Sequence, residues 1–303
     1  MNKVLVLGGL TATGKSNLAI DWAKEFDGEI VSVDSVAAYR QLTIASAKQT
    51  LEDQQGIPHY GIDIADVNQP LSVKEFQQYA KTQIAAIIKR KKLPILVGGS
   101  GLYLKSILYD YEFLEEPEVD ENWTETLSNE YLHELLEEID PIQAKKIHRN
   151  NRKRVIRALS IFHNQQTNKT NLIEKQTQQL QYDALIFCAD INRNTLKERI
   201  EERVDSMIAQ GLEAEIQRAS SMADWELSSM AAIGVKEWKG YFEGKHSLET
   251  TIDMIKTKTK QFSKRQRTWF KHQFDGIWID MESENDLKEA RARIQSWKAH
   301  PSL

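Results

Sequence analysis

The chain has 303 residues, of which 41% are hydrophobic and 28% charged, with one cysteine and a formal net charge of −4. That length supports a core with an insertion, and the composition excludes a disordered chain. No apolar run reaches a membrane span, the lone Cys188 excludes a disulfide framework or a multi-cysteine zinc site within one chain, and the N-terminus runs straight into a strand without a signal peptide, so a cytoplasmic protein with no membrane attachment is expected.

Residues 3–8 read as a short, apolar, buried parallel strand closed by Gly8 and Gly9. Residues 15–26 follow with helical spacing, Leu18, Ala19, Trp22 and Phe26 on one side. "EIVSVDS" (29–35) is expected as a second strand, 72–90 as a helix and "LPILVGG" (93–99) as a third buried strand. Strands alternating with helices indicate an α/β fold with a parallel sheet flanked by helices, and the phosphate-loop motif set between the first strand and helix, G-x-x-x-x-G-K-[ST] at 9–16, makes the expected fold P-loop NTPase-like. After about Tyr111 the pattern changes. "EFLEEPEVDENW" is acidic and irregular, about 122–165 is mainly helical, and "QTNKTNLIEKQTQQLQ" has the composition of a linker. A strand returns at 183–191, helices are expected at 194–209, about 211–220 and 246–272, and a strand at 276–280. The expected organisation is a first part of the core (1–112), a mostly helical insertion (113–181) and a continuation of the core with C-terminal helices (182–303).

Gly9, Leu10, Thr11, Ala12, Thr13, Gly14, Lys15 and Ser16 fit G-x-x-x-x-G-K-[ST] between a strand and a helix. In such a loop backbone N–H groups and the helix dipole converge on phosphate oxygens. Lys15 adds a point charge, Ser16 can hold Mg²⁺, and Thr11 and Thr13 offer further hydroxyls. A nucleoside triphosphatase places a metal-holding Asp at the end of another core strand, but "LPILVGGSG" ends in Gly98, Gly99, Ser100 and Gly101. The carboxylate lies instead at Asp34, at the end of the second strand, where it is expected to face the crevice beside the loop. The spacing establishes a phosphate site and leaves open which phosphates it holds. His59, a lone imidazole after Pro58, is read as a loop residue and not a metal ligand.

Several segments, in order, resemble the tRNA dimethylallyltransferases, also called tRNA isopentenyltransferases: "GLTATGKSNLA" (9–19), "DSVAAYRQLTIASAK" (34–48), "IPHYGIDI" (57–64), "LVGGSGLYLKSIL" (96–108), "HRNNRKRVIRALSI" (148–161), "RIEERVDSMIAQGLEAEI" (199–216), "AAIGVKEW" (231–238) and "KQFSKRQRTWFKH" (260–272). The resemblance covers nearly the whole chain. It implies transfer of a dimethylallyl group from dimethylallyl diphosphate to the exocyclic amine of an adenine just 3′ of the anticodon, on the anticodon stem-loop of tRNA, by a monomeric, bacterial-type enzyme. The phosphate loop would then hold diphosphate with Mg²⁺. Asp34 would accept the amine's proton. Lys15 would act on the leaving group, and Ser100 would stand where the family has a Thr that contacts acceptor or diphosphate. Ser35, Val36, Ala37 and Ser100 would meet the tRNA, as would Lys153, Arg154, Val155, Ile156 and Arg157 of the insertion and Lys264 and Arg265 near the C-terminus.

Two basic clusters support this expectation: Arg149, Arg152, Lys153, Arg154 and Arg157, and a run of Lys256, Lys258, Lys260, Lys264, Arg265, Arg267 and Lys271 with no acid among them. Trp269 and Phe270 sit in the second, placed either to stack on a splayed base or to fill the core. The chain also departs from the family pattern. Ala37 stands where a Gln is usual, Leu10 replaces a Pro, Ala45-Ser46 a Gly-Thr, Tyr60 a second His and Val235 a Tyr. Three other activities fit parts of the pattern: a small-molecule P-loop kinase, a prenyltransferase acting on free adenine nucleotides, and a weakly active RNA-binding paralogue.

Overall fold

A computed structural model describes residues 1–109, 111, 113, 124, 126–165, 167–175 and 179–300. The acidic stretch at 112–123 falls, apart from 113, outside the described residues, as does part of the polar stretch at 166–181. Two compact units are present, one formed by Met1–Tyr109 with Leu180–Leu303 and the other by Asp110–Gln179.

The larger unit is a six-stranded sheet, every pair parallel, in the order β3-β2-β4-β1-β5-β6. Its strands are β1 (Lys3–Gly9), β2 (Gly28–Ser32), β3 (His59–Tyr60), β4 (Leu93–Gly98), β5 (Asp183–Asp190) and β6 (Ile277–Asp280). β1 and β4 are buried nearly throughout because helices cover both faces, which is why they read as continuous apolar runs and not as alternation. On one face α1 (Lys15–Phe26) and α13 (Glu284–Ala299) pack Trp22, Phe26, Ala290 and Ile294 against Leu5, Leu7, Ile95 and Phe187. On the other, α3 (Val73–Lys89), α4 (Gly101–Leu108) and α12 (Leu248–Gln273) bring Phe76, Ile84, Leu104 and Phe270 onto Val4, Val6, Val31 and Leu96. A further apolar cluster joins Tyr39 and Leu42 to α9 (Arg193–Ala209), α10 (Leu212–Met222) and α11 (Trp238–Phe242). A short helix, α2 (Thr43–Ser46), stands in the segment between β2 and β3. Cys188 is fully buried in β5, and burial pushes its thiol up to about 12, so it serves packing.

The smaller unit contains α5 (Asn129–Ile139), α6 (Pro141–Lys146), α7 (Arg152–Gln165) and α8 (Lys169–Lys175). Its core joins Leu132 and Leu136 to Ala144, Ile147, Val155, Ile156, Ala158 and Leu159. Among the described residues no helix is long and apolar enough to cross a membrane.

Candidate active site

The site is built at the C-terminal ends of β1, β2 and β4, where loops leave a parallel sheet. β1 ends at Gly9 with φ +129°, and a Cβ there would lie 2.4 Å from the Ala189 carbonyl, so only glycine lets the chain turn out against β5. Ala12 (φ +61°) and Gly14 (φ +86°) complete the loop, and α1 begins at Lys15. No side chain caps α1 at Gly14, which leaves the positive end of a 12-residue helix to be capped by an anion.

Several loop residues do less than the sequence implied. Leu10 donates its N–H to Ala189 at 3.3 Å and buries its side chain with Ile191, Leu196 and Ile200. It is therefore a structural member of the loop and not a phosphate donor. The Thr13 hydroxyl is buried and donates to the Leu10 carbonyl at 2.9 Å, so it braces the loop. The Thr11 N–H is already held by the Gln266 side chain at 3.0 Å, although its side chain lines the cavity. Gly9 shapes the turn, while Ala12, Gly14, Lys15 and Ser16 line the space beside it.

Two cavities, about 490 Å³ and 340 Å³, meet at Thr11, Lys15, Asp34, Ser46 and Arg203, which line both. The larger also has apolar walls from Val204, Met207, Ile255 and Phe262. Lys15 Nζ donates to the Leu10 carbonyl at 2.7 Å. Burial pushes its pKa down to about 8, the Asp34 charge opposing and the Arg203 charge reinforcing that shift. Burial also lowers the Arg203 guanidinium, with Asp34 pulling it back up. Two cations and one carboxylate thus converge at the junction.

Asp34 lies just beyond β2, which ends three residues earlier than expected. Its Oδ1 accepts the N–H groups of Val36 (2.8 Å) and Ala37 (3.3 Å), an Asx turn that explains the early strand end. Oδ2 makes no hydrogen bond among the described residues and remains for a ligand. Ser100 Oγ accepts the Ser35 N–H at 3.1 Å, fastening the β4 end to the β2 end. Ser35 and Val36 line the larger cavity and Ala37 the smaller. Ala37 is buried and offers only its backbone, its carbonyl accepting the Asp63 N–H at 3.2 Å. Of the other departures from the family pattern, Tyr60 bonds Glu29 and Arg90, and Val235 is core beside Trp238. His59 Nδ1 contacts the Ile57 carbonyl at 2.8 Å.

The basic clusters shrink on inspection. In α7, Lys153, Arg154 and Arg157 are exposed, but Val155 and Ile156 are buried in the core of their unit and present no side chain to a ligand. Arg152 spends its guanidinium on the carbonyls of Thr124 (2.5 Å) and Leu127 (2.9 Å) and on Asn129 Oδ1 (2.9 Å). In α12 the acids absent from the local sequence arrive from elsewhere. Asp205 meets Lys256 at 2.6 Å, Glu201 meets Lys260, and Asp190 meets Arg267. Lys264 and Arg265 stay exposed, Arg265 lying 5.8 Å over the Phe262 ring. Phe270 is core, packed so closely on Gly8 that a Cβ there would lie 2.5 Å from its ring, and Trp269 closes over Gly101 in the same way. Both aromatics therefore fill the core and are not free to stack.

Two cavity-lining residues were missed by sequence reasoning, Arg203 and Gln266, and with them Glu215, which lies outside the cavities and bonds the N–H groups of Thr43, Ile44 and Ala45. Arg203 carried the only local signal, a cation four residues after Arg199 on a helix whose Ile200, Val204 and Met207 face inward.

Residues that could hold Mg²⁺ fit it. Ser16, whose hydroxyl is a hard oxygen donor, lines the smaller cavity beside Gly14 and Lys15. Mg²⁺ is commonly bound by one or two protein oxygens and completed by substrate phosphates, and a single hydroxyl beside a phosphate loop fits that demand.

Comparison with known proteins gives one consistent result. The family model described as "IPP transferase" matches residues 37–273. A tRNA dimethylallyltransferase of an Exiguobacterium species is 47% identical over 285 residues, 92% of this chain and 90% of the relative, and one from Bacillus cytotoxicus is 45% identical over the same shares. Among solved structures, a tRNA isopentenylpyrophosphate transferase from Staphylococcus epidermidis aligns with a TM-score of 0.73 at 37% identity, covering 98% of this chain and 99% of that one. A eukaryotic dimethylallyltransferase acting on tRNA aligns with a TM-score of 0.82 at 27% identity, covering 98% and 78%.

Proposed function

Since the chain belongs to the IPP transferase family, we propose that it transfers a dimethylallyl group from dimethylallyl diphosphate to the N6 amine of the adenosine 3′-adjacent to a tRNA anticodon, releasing diphosphate. The observation that carries this reading is the junction of the two cavities, where Lys15 of the phosphate loop, Arg203 and Asp34 line both and the Asp34 charge acts on both cations.

In the reaction the bond from the allylic carbon to the diphosphate oxygen breaks, a bond from that carbon to N6 forms, and N6 gives up one proton. Negative charge develops on the diphosphate. Lys15, Arg203 and the uncapped start of α1 are preorganised to take it, and water must be kept from the allyl fragment while the bond is broken. Mg²⁺, held by Ser16 with the diphosphate oxygens, would add Lewis-acid stabilisation of the leaving group. The adenine amine is a weak nucleophile because its lone pair is delocalised. Asp34 Oδ2 receives its proton as the C–N bond forms, while Oδ1 stays committed to the turn. The apolar walls from Val204, Met207 and Ile255 suit a five-carbon hydrocarbon. Ser100 acts through Ser35, holding the rim that the base passes. The adenine must leave its stack to reach this site, and the exposed cations Lys153, Arg154 and Arg157, with Lys264 and Arg265, supply phosphate contacts for the surrounding RNA. A kinase reading lacks a metal-holding carboxylate at the end of β4.

Incubation with labelled dimethylallyl diphosphate and tRNA, AMP or ATP tests the proposal. Label is expected in tRNA alone. Label in AMP, or ATP loss without prenyl transfer, would refute it.

A further inference from the structure

The four-residue helix α2 walls both cavities, through Ala45 and Ser46 in the larger and Ser46 in the smaller. So short a helix has little stability of its own, and its N-cap residue, Leu42, offers no side-chain acceptor. The acceptor comes instead from Glu215 on α10. Glu215 Oε2 accepts the N–H groups of Thr43 (3.0 Å) and Ile44 (2.8 Å), and Oε1 accepts that of Ala45 (2.9 Å). Glu215 is 5% exposed and has no ion-pair partner among the described residues, so its charge is answered by these N–H groups and by the positive end of α2. At the other end of α2 the Ser46 carbonyl accepts Arg203 Nη2 at 3.1 Å. Arg203 and Glu215 belong to consecutive helices, α9 and α10, which turn at Gly211 (φ +95°). This helical hairpin therefore grips α2 by both ends, a carboxylate on the N–H end and a guanidinium on the carbonyl end.

We propose that Glu215 is a positioning residue for diphosphate departure. It fixes α2 so that the Ser46 carbonyl holds the Arg203 guanidinium at the junction of the cavities, beside Lys15 and Asp34. Without the Glu215 charge the first-turn N–H groups of α2 lose their cap, Ser46 shifts, and Arg203 loses the acceptor that aims it. Glu215 itself lines neither cavity. The proposal rests on the prenyl-transfer reading for its consequence in turnover, but not for its consequence in anion binding.

The test is a double-mutant cycle read by calorimetric titration of the full-length protein with inorganic pyrophosphate and Mg²⁺, and by steady-state transfer to tRNA. Glu215→Gln keeps the size of the side chain and removes one charged acceptor. It is expected to weaken pyrophosphate binding about tenfold, an effect the size of one charge-assisted hydrogen bond, and to raise KM for the prenyl diphosphate. Glu215→Asp, which keeps the charge on a shorter stem, should recover part of the loss. In an Arg203→Gln background, Glu215→Gln should add less than about twofold, because residues acting through one another are not additive. A full tenfold effect in that background, or wild-type pyrophosphate affinity in Glu215→Gln, overturns the proposal. If Glu215→Gln does not fold, the cycle is run with Glu215→Asp and judged by the same coupling. A wild-type protein that binds pyrophosphate but transfers no label to tRNA would defeat the prenyl-transfer reading while leaving the Glu215 cycle readable.

Discussion

The Gln266 side chain bridges Thr11 and Gly99, its Oε1 accepting the Thr11 N–H at 3.0 Å and its Nε2 donating to the Gly99 carbonyl at 3.0 Å. A buried amide on α12 thereby sets the gap between the phosphate loop and the end of β4, two segments that no local sequence signal connects. Gln266→Leu leaves the Thr11 N–H without its partner and the Gly99 carbonyl with the Gly101 N–H alone, a loss of about 1 kcal/mol for each bond removed. The expected result is a lower melting temperature and weaker pyrophosphate binding. Gln266→Glu should bind pyrophosphate still more weakly than Gln266→Leu, because it turns a carboxylate toward the Gly99 carbonyl and places a negative charge at the anion site. Titration calorimetry with thermal unfolding checks both, and wild-type affinity in both variants would show that the bridge is irrelevant to the loop.

The depressed pKa of Lys15 gives a signed pH dependence. Lys15 titrates near 8 in the free protein, so it is cationic below that pH and increasingly neutral above it. Pyrophosphate affinity should fall as pH rises through about 8, with protons taken up on binding in that range. Lys15→Arg stays charged throughout and serves as the reference that cancels the ionisation of pyrophosphate itself. The ratio of wild-type to Lys15→Arg affinity should decline between about pH 7 and 9. A flat ratio would mean that Lys15 is fully charged across the range. The same shift predicts, through linkage, that free-protein stability gains from this group as pH rises from about 8 toward the unfolded value of 10.5, because the unfolded chain binds more protons there.

The exposed and the bonded cations on α7 should separate cleanly. Lys153→Glu with Arg154→Glu alters exposed cations only. It should weaken tRNA binding, flatten its salt dependence by roughly 0.7–0.9 in log–log slope for each phosphate no longer neutralised, and leave pyrophosphate affinity unchanged. Arg152→Ala instead removes the bonds to Thr124, Leu127 and Asn129, so its main effect should be on the stability of the helical unit. Filter binding over a salt series, with hydrogen exchange on 126–165, distinguishes them. An unaltered salt slope in the double charge reversal would remove α7 from the RNA interface.

What the sequence disclosed follows the range of the interactions. The phosphate loop was legible because its geometry is set by glycines and a lysine within eight residues, and β1 and β4 because burial on both faces leaves unbroken apolar runs. α13 escaped notice because it buries only Ala290 and Ile294. α8, within a stretch that reads as a linker, is tied down by polar means: Thr170 donates its N–H (2.9 Å) and hydroxyl (2.6 Å) to Asp140. In the site, Asp34 could be found at a strand end, but Arg203, Gln266 and Glu215 act on segments more than 150 residues away. The basic run of α12 is thinned for the same reason, since Asp205, Glu201 and Asp190 pair Lys256, Lys260 and Arg267 from other elements, while Lys264 and Arg265 stay exposed.

Asp34 combines a structural bond and a chemical role on different oxygens, and one substitution separates them. Asp34→Asn retains an acceptor for the Val36 and Ala37 N–H groups, so the turn and the melting temperature should persist, but an amide cannot take the proton from N6. Turnover should fall at least ~100-fold, the lower scale of acid–base catalysis. Loss of the negative charge also removes the influence that holds the Lys15 pKa up, so the decline of pyrophosphate affinity with pH should begin lower than in the wild type. Asp34→Ala abolishes the turn as well and should add a loss of stability to the loss of rate. Single-turnover transfer in Asp34→Asn at near the wild-type rate would assign the proton to another acceptor and leave Asp34 with its turn alone.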